Sequence, residues 1–182
     1  LALCAEKNMT VAQPSTPASY FHLLRFHAAN PKRRPMVVFT PKSMLRLKAA
    51  ASSISDFTSG TFLPVIGDTE VQNATRLIFC SGKIYHDLVA ERARLNDSST
   101  AIVRVERLYP LPVAQMEVEA KKHPNANLLW VQDEPANQGA WPHVALSTTE
   151  AIGGTGVDGR VLRRISRRAS ASPATGNHHL HE

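Results

Sequence analysis

Short apolar runs alternate with stretches whose apolar residues recur at helical spacing. Met9 to Gln13 predicts a short strand. Thr16 then stands as a helix N-cap, with Pro17 at the first helical position, where a missing N–H costs nothing. Tyr20, Phe21, Leu23, Leu24 and His27 follow at helical spacing, and Asn30-Pro31 and Arg34-Pro35 end the helix. Met36 to Phe39 is a continuous apolar strand, so the first forty residues form a β-α-β unit that favours parallel pairing. Pro41 to Ala51 predicts a short helix and 52–60, rich in Ser, Thr and Gly, a linker. Thr61 to Ile66 is a weak strand, and Gly67 to Asn73 a polar loop. The alternation then sharpens. Arg76–Cys80, Ala101–Val105, Leu128–Val131 and Val161–Ile165 are strands. Between them lie a helix carrying Ile84, Tyr85, Leu88, Val89 and Leu95, a turn and helix over Pro110–Lys122, and a helix over Trp141–Ile152. Strands that are apolar on both faces and separated by helices indicate an α/β fold with a mainly parallel or mixed sheet flanked by helices.

Composition narrows the function more than the fold. At 182 residues, 43% hydrophobic and 20% charged, the chain is long and apolar enough to bury a core. No apolar run approaches the roughly 18 residues of a membrane-spanning helix. The N-terminus begins at Leu1 without a signal-peptide pattern, which suggests a fragment of a longer, cytoplasmic protein. The formal net charge of +6 suits an anionic ligand, a nucleic acid or an acidic partner, and equally a solvated basic surface. Cys4 and Cys80 show no paired motif, and Cys80 sits in an apolar run as a small buried hydrophobe.

Candidate chemistry is sparse. Ser81-Gly82-Lys83 lies where a strand gives way to a helix, a place for an anion or, more plainly, for a Ser cap and a Gly turn. It matches neither a P-loop nor GxGxxG. Asp133 to Trp141 is polar and follows a buried strand. In it Glu134 is a candidate acid/base or Arg partner, and Asn137 and Gln138 are candidate caps of the next helix. Arg160, Arg163, Arg164, Arg167 and Arg168 form a basic run without interleaved aromatics, which argues against RNA. Lys32, Arg33 and Arg34 form a second basic cluster, in a loop. His178, His179 and His181 lack the second ligand set of a structural metal site. There is no GxSxG and no HExxH, so these residues make no complete active site and no metal site.

Four stretches together resemble one family. They are Pro14-Ser15-Thr16-Pro17-Ala18-Ser19-Tyr20-Phe21-His22-Leu23-Leu24-Arg25, Val38-Phe39-Thr40-Pro41-Lys42-Ser43-Met44-Leu45-Arg46, Cys80-Ser81-Gly82-Lys83-Ile84-Tyr85 and, most specific, Trp130 to Trp141. They are similar to the C-terminal part of the thiamine-diphosphate-dependent first component of 2-oxoglutarate dehydrogenase. Arg164-Ile165-Ser166-Arg167-Arg168-Ala169, with Pro173, resembles the actinobacterial branch, whose members also act as 2-oxoglutarate decarboxylases and carboligases.

The resemblance implies a transketolase-like architecture. Residues 1–40 would end a pyrimidine-binding domain, 41–60 would be a helix and linker, 61–168 a transketolase-type C-terminal domain, and 169–182 a mobile tail. It implies thiamine diphosphate and magnesium in the parent enzyme of the tricarboxylic acid cycle, although the GDG…N motif that binds them is absent here. It assigns no catalytic residue to this chain, which would be inactive alone and would supply scaffold, homodimer surface and regulatory surface. The implied partners are the rest of the polypeptide, a homodimer partner, a lipoyl-bearing succinyltransferase and acetyl-CoA, with neither nucleic acid nor membrane. Arg25, Lys32, Arg33 and Arg34 are the candidate acetyl-CoA or anion-binding residues. Ser81, Gly82, Lys83, Glu134, Asn137 and Gln138 are candidate anion or domain-interface residues. The family carries a second arginine after Arg25; here that residue is Phe26, which cannot hold a phosphate bidentately. The alternative is a free-standing α/β module that binds nucleotide or acyl-CoA anions through Lys32–Arg34 and Ser81–Lys83.

Overall fold

A computed structural model describes residues 1–151, 156–173 and 176. The elements run β1 (Thr10–Ala12), α1 (Pro17–Ala29), β2 (Met36–Val38), α2 (Ile54–Thr58), β3 (Val65–Ile66), β4 (Arg76–Cys80), α3 (Ile84–Leu95), β5 (Thr100–Val105), β6 (Arg107–Tyr109), α4 (Val113–Lys121), β7 (Asn127–Pro135), α5 (Trp141–Ala151) and β8 (Leu162–Arg167). They build two mixed sheets flanked by helices, the expected α/β architecture. The larger has strand order β3-β5-β4-β7-β8, parallel except for β3. The smaller has order β2-β1-β6, with β1 and β2 parallel as the crossover predicts and β6 antiparallel.

Strand β4 shows why the larger sheet reads as unbroken apolar runs. Leu77 and Phe79 face a core with Met116 and Ala120 of α4 and Val144 of α5. Ile78 and Cys80 face the other side, beneath Ile84, Tyr85, Leu88 and Val89 of α3. A strand covered on both faces has no solvent side on which polar residues are favoured. From β4 the chain passes through α3 to β5 on one side. From β5 it returns through β6 and α4 to β7 on the other. The β4–β7 seam is therefore the point at which the direction of winding reverses.

Thr16 caps α1 as expected, its Oγ accepting from the Ser19 N–H at 3.2 Å. Several local expectations need correction. Pro41–Ala51 is not one helix but two 3-10 turns, Lys42–Arg46 and Lys48–Ala50, broken at Leu47 in an extended conformation. The 52–60 linker holds α2, closed by a capping box between Ser53 and Asp56. The strand expected over 61–66 shrinks to Val65–Ile66. Strand β6 was not legible, and β7 extends to Pro135 because Pro135 pairs with Arg167 beyond an irregularity in register. Residues 169–173 are tied down: Ser170 bonds to Asn137 and Gln138, and Arg167 donates to the Pro173 carbonyl. His178, His179 and His181 lie outside the described residues.

Candidate functional site

The two sheets meet at Ser15, which is fully buried and held at each of its polar groups. Its N–H donates to Glu106 Oε2 at 2.8 Å. Its carbonyl accepts from His86 Nε2 at 2.8 Å, and its Oγ accepts from the Arg104 guanidinium at 3.1 Å. Glu106 Oε2 also accepts from Ser19 Oγ at 2.6 Å, while Oε1 is buried without a partner. Glu106 is the one residue between β5 and β6, where the chain crosses from the larger sheet to the smaller. Arg104 lies over the Tyr85 ring, 4.6 Å from its centroid. Sequence reasoning missed this junction. Its signals were Arg104 inside the strand Ala101–Val105 and an acidic residue directly after it.

A cleft of about 280 Å³ opens at the carboxyl ends of β4 and β7, on the winding-reversal seam. Ser81 and Glu134 line it from the large sheet, and Gln13, Phe39 and Leu108 from the side of the small one. Ser81 does not cap α3, whose N-cap residue is Lys83 and makes no side-chain capping bond; Ser81 Oγ is buried and unpartnered. Gly82 has φ +68°, and a Cβ there would fall inside the Gln13 carboxamide, so the turn takes glycine for conformation and for space. Lys83 pairs with Asp87 one helical turn on. That hydrogen bond is the largest of the influences that hold its ammonium above the ordinary lysine range.

Asn137 and Gln138 do not cap α5. Their side chains donate to the Ser170 carbonyl at 3.0 Å, and Asn137 Oδ1 accepts the Ser170 N–H. The cap is Gln132, a second residue the sequence reading passed over. Its Oε1 accepts the Trp141 N–H at 2.8 Å and the Trp130 indole at 3.1 Å, and its Nε2 donates to the carbonyls of Glu134, Pro135 and Gln138. A polar residue in an apolar strand was the available signal. Cys80 is buried as expected, and burial, helped by nearby Glu106, pushes its thiol far up, away from nucleophilic chemistry.

The basic residues divide. Arg160 donates to the carbonyls of Ala120, His123, Pro124 and Ala126, satisfying the end of α4. Arg163 and Arg164 are exposed on edge strand β8, and Arg167 holds the Asp133 carbonyl. Lys32 and Arg33 are exposed, whereas Arg34 donates to the Lys7 carbonyl. Arg25 donates to His22 Nδ1 at 3.2 Å and, with Phe26, lines a cleft of about 270 Å³ at the end of α1. These sites are not brought together with Ser81 and Glu134. Among the described residues no three His, Cys, Asp or Glu side chains converge as a metal site, and no helix is long and apolar enough to cross a membrane.

A family model described as 2-oxoglutarate dehydrogenase C-terminal matches residues 51–182. The chain is 47% identical over 191 residues to the multifunctional 2-oxoglutarate metabolism enzyme of Mycobacterium sp. strain JLS, covering 100% of this chain and 15% of that protein. It is 48% identical over 185 residues to the 2-oxoglutarate dehydrogenase E1 component of Cupriavidus necator, covering 100% of this chain and 19% of that protein. It is 48% identical over 187 residues to the E1/E2 component of Corynebacterium glutamicum, again covering 100% of this chain and 15% of that protein. The chain thus spans less than a fifth of the length of these relatives.

Proposed function

From its membership of the 2-oxoglutarate dehydrogenase C-terminal family, to which this chain belongs, we propose that it is the C-terminal segment of a parent 2-oxoglutarate dehydrogenase and decarboxylase of the tricarboxylic acid cycle. It serves there as scaffold, homodimer surface and regulatory surface, and is inactive alone. The observation that carries this reading is similarity over the whole of this chain to a small share of each relative. Residues up to about 40 end one domain and those from about 61 form the next, with Ser81, Gly82, Lys83, Glu134, Asn137 and Gln138 as interface residues. Supporting that role, Gly82 packs on Gln13 and Lys83 is already paired with Asp87. The parent's partners are the rest of the polypeptide, its homodimer mate and a lipoyl-bearing succinyltransferase.

Thiamine diphosphate and magnesium act in the parent, but this chain's donor set does not fit them: it lacks the GDG…N motif, and no three of its described His, Cys, Asp or Glu side chains converge. Calorimetry of the 182-residue chain with thiamine diphosphate and magnesium tests the reading. No tight binding and no 2-oxoglutarate decarboxylation are expected; micromolar cofactor binding overturns it. Regulation rests on Arg25, Lys32, Arg33 and Arg34, positive groups for the phosphates of acetyl-CoA, of which Arg25 lines the cleft with Phe26. In the full-length enzyme Phe26→Arg should strengthen acetyl-CoA binding about ten- to a hundred-fold, as one added charged hydrogen-bonding contact would. Equal affinities at equal ionic strength overturn that assignment.

A further inference from the structure

Helices lie on both faces of the larger sheet, but on the α3 side the cover ends before edge strand β8. There α3 sets Ile84, Tyr85, Leu88 and Val89 over Ile78, Cys80, Ile102 and Val131 of β4, β5 and β7. The next strand outward is β8, where Arg163 pairs with Leu129 and Ile165 with Val131. Side chains alternate along a strand, so Arg163 and Ile165 share the α3 side while Leu162 turns into the main core. Ile165 is 52% exposed, and Val161, just before the strand, 70%. Leu129 is only partly buried against the α3 cluster. Parallel strands are normally covered on both faces. Among the described residues, this strip lacks its second layer.

The strip also carries uncompensated positive charge. Among the described residues, none of Arg163, Arg164 and Arg168 pairs with a carboxylate. Arg164 lies over the Trp141 ring, and Arg167 donates to the carbonyls of Asp133 and Pro173. The acids of the adjoining elements are engaged elsewhere. On α3, Asp87 pairs with Lys83 and Glu91 with Arg94. On β7, Asp133 helps to hold the Lys83 ammonium above its ordinary range, and Glu134 lines the cleft at the β4–β7 seam.

Arginines on an edge strand discourage the addition of a further strand. That role does not call for exposed apolar residues between them. The edge itself also leaves little room for a strand. At its start the backbone of Gly156 closes on it, a Cβ there lying 3.1 Å from the Leu162 nitrogen, and past its end Ser170 bonds back to Asn137. The face above β8 is what remains open. From Val161 to Ile165 the strand runs about 13 Å, the length of between two and three turns of helix, roughly 5.4 Å each. A helix with apolar residues one turn apart would cover Val161, Ile165 and Leu129, and acids flanking that stripe would meet Arg163 and its neighbours. We propose that the α3-side face of β8 is a docking surface for an acidic amphipathic helix of a partner protein, laid beside α3.

The test is amide-resolved titration of the 182-residue chain with a helix-forming peptide of about eighteen residues, bearing Leu at helical spacing on one face and Glu on its flanks. The same peptide with Lys in place of Glu controls for charge, and a scrambled Glu peptide controls for the apolar stripe. Saturable shifts at Leu129, Arg163 and Ile165 are expected with the Glu peptide, and binding about tenfold weaker with either control. Arg163→Glu, at an exposed position, should weaken the Glu peptide about tenfold and strengthen the Lys peptide. A folding defect would weaken both, so the exchange of preference separates the two causes. No saturable shift, equal binding of the Glu and Lys peptides, or shifts spread over the basic surface beyond this face would overturn the proposal. So would a lower mass for the free Arg163→Glu chain by light scattering, which would mean that copies of the chain pair through this face instead.

Discussion

The two sheets solve the burial problem differently. The five-stranded sheet is covered on both faces, and its central side chains, Leu77, Phe79, Val103 and Trp130, are fully buried. The three-stranded sheet joins the main core on one face through Val11 and Leu108, and its other face has only a small core of Ala12, Leu23 and Phe62, with Met36 and Val38 against it. Around it Phe21, Leu24, Phe26, Phe39 and Leu45 remain exposed, Leu45 at 85%. Apolar patterning was comparable in the two regions, yet only one contains the elements that cover it. Contiguous exposed apolar surface marks an interaction face. The comparison therefore ties stability to the five-stranded sheet and leaves the three-stranded sheet with the larger share of exposed apolar side chains.

The largest effect should come from the better-covered region. Trp130→Ala removes a fully buried ring from the central core and should cost about 3–5 kcal/mol in urea denaturation. A loss below about 1 kcal/mol, the ordinary size for a point substitution, would mean that the two regions differ less than their burial implies.

The junction decides whether the regions unfold together. Glu106→Ala strips the Ser15 N–H and Ser19 Oγ of a buried acceptor and should destabilise by about 3 kcal/mol. Hydrogen exchange should show α1 losing protection before β4 and β7. Uniform loss over the whole chain would make the two sheets one cooperative unit.

A third effect depends on pH. Burial pushes the His123 imidazole below its ordinary range, more than the nearby carboxylates of Asp68 and Glu119 raise it. Its Nδ1 accepts the Ala74 N–H, so the folded state favours the neutral ring. The unfolded chain then binds a proton first, and stability falls as pH drops through and below about 6.5. One such group contributes at most about 1.4 kcal/mol per pH unit. His123→Gln should flatten the urea midpoint between about pH 7 and pH 5; an unchanged slope would place the acid sensitivity elsewhere. At lower pH Asp68 adds to the loss. Burial works to raise its carboxyl, but the N–H groups of Ile102 and Glu70 and the Arg92 guanidinium hold it below the ordinary value. Its contribution is present above about pH 4 and lost below.

The smallest effects belong to the surface. Leu45→Ser and Lys83→Ala should each stay within about 0.5 kcal/mol, the first because its side chain is in water and the second because its ion pair is exposed. Leu45→Ser should nonetheless reduce self-association by light scattering. No change in association would remove the exposed apolar face from any role in contact between copies.

The sequence by itself determined the α/β class, the start of α1 at Thr16-Pro17, the main strands and helices of the larger sheet, and the family. Each rests on local chemistry or on a contiguous motif: a capping hydroxyl, a proline without an N–H, apolar runs of strand length, the stretch Trp130 to Trp141. Only the tertiary structure decided which apolar residues are covered, because exposure of Phe21 or Leu45 depends on neighbours far along the chain. Only it showed that Ser15, His86, Arg104 and Glu106 converge, or that Gln132 rather than Asn137 or Gln138 caps α5. It also set Ser81 beside Gln13 and Glu134 rather than at a helix cap. Those contacts join residues up to 91 positions apart, and periodicity within one element carries no information about which distant polar group will satisfy a buried one.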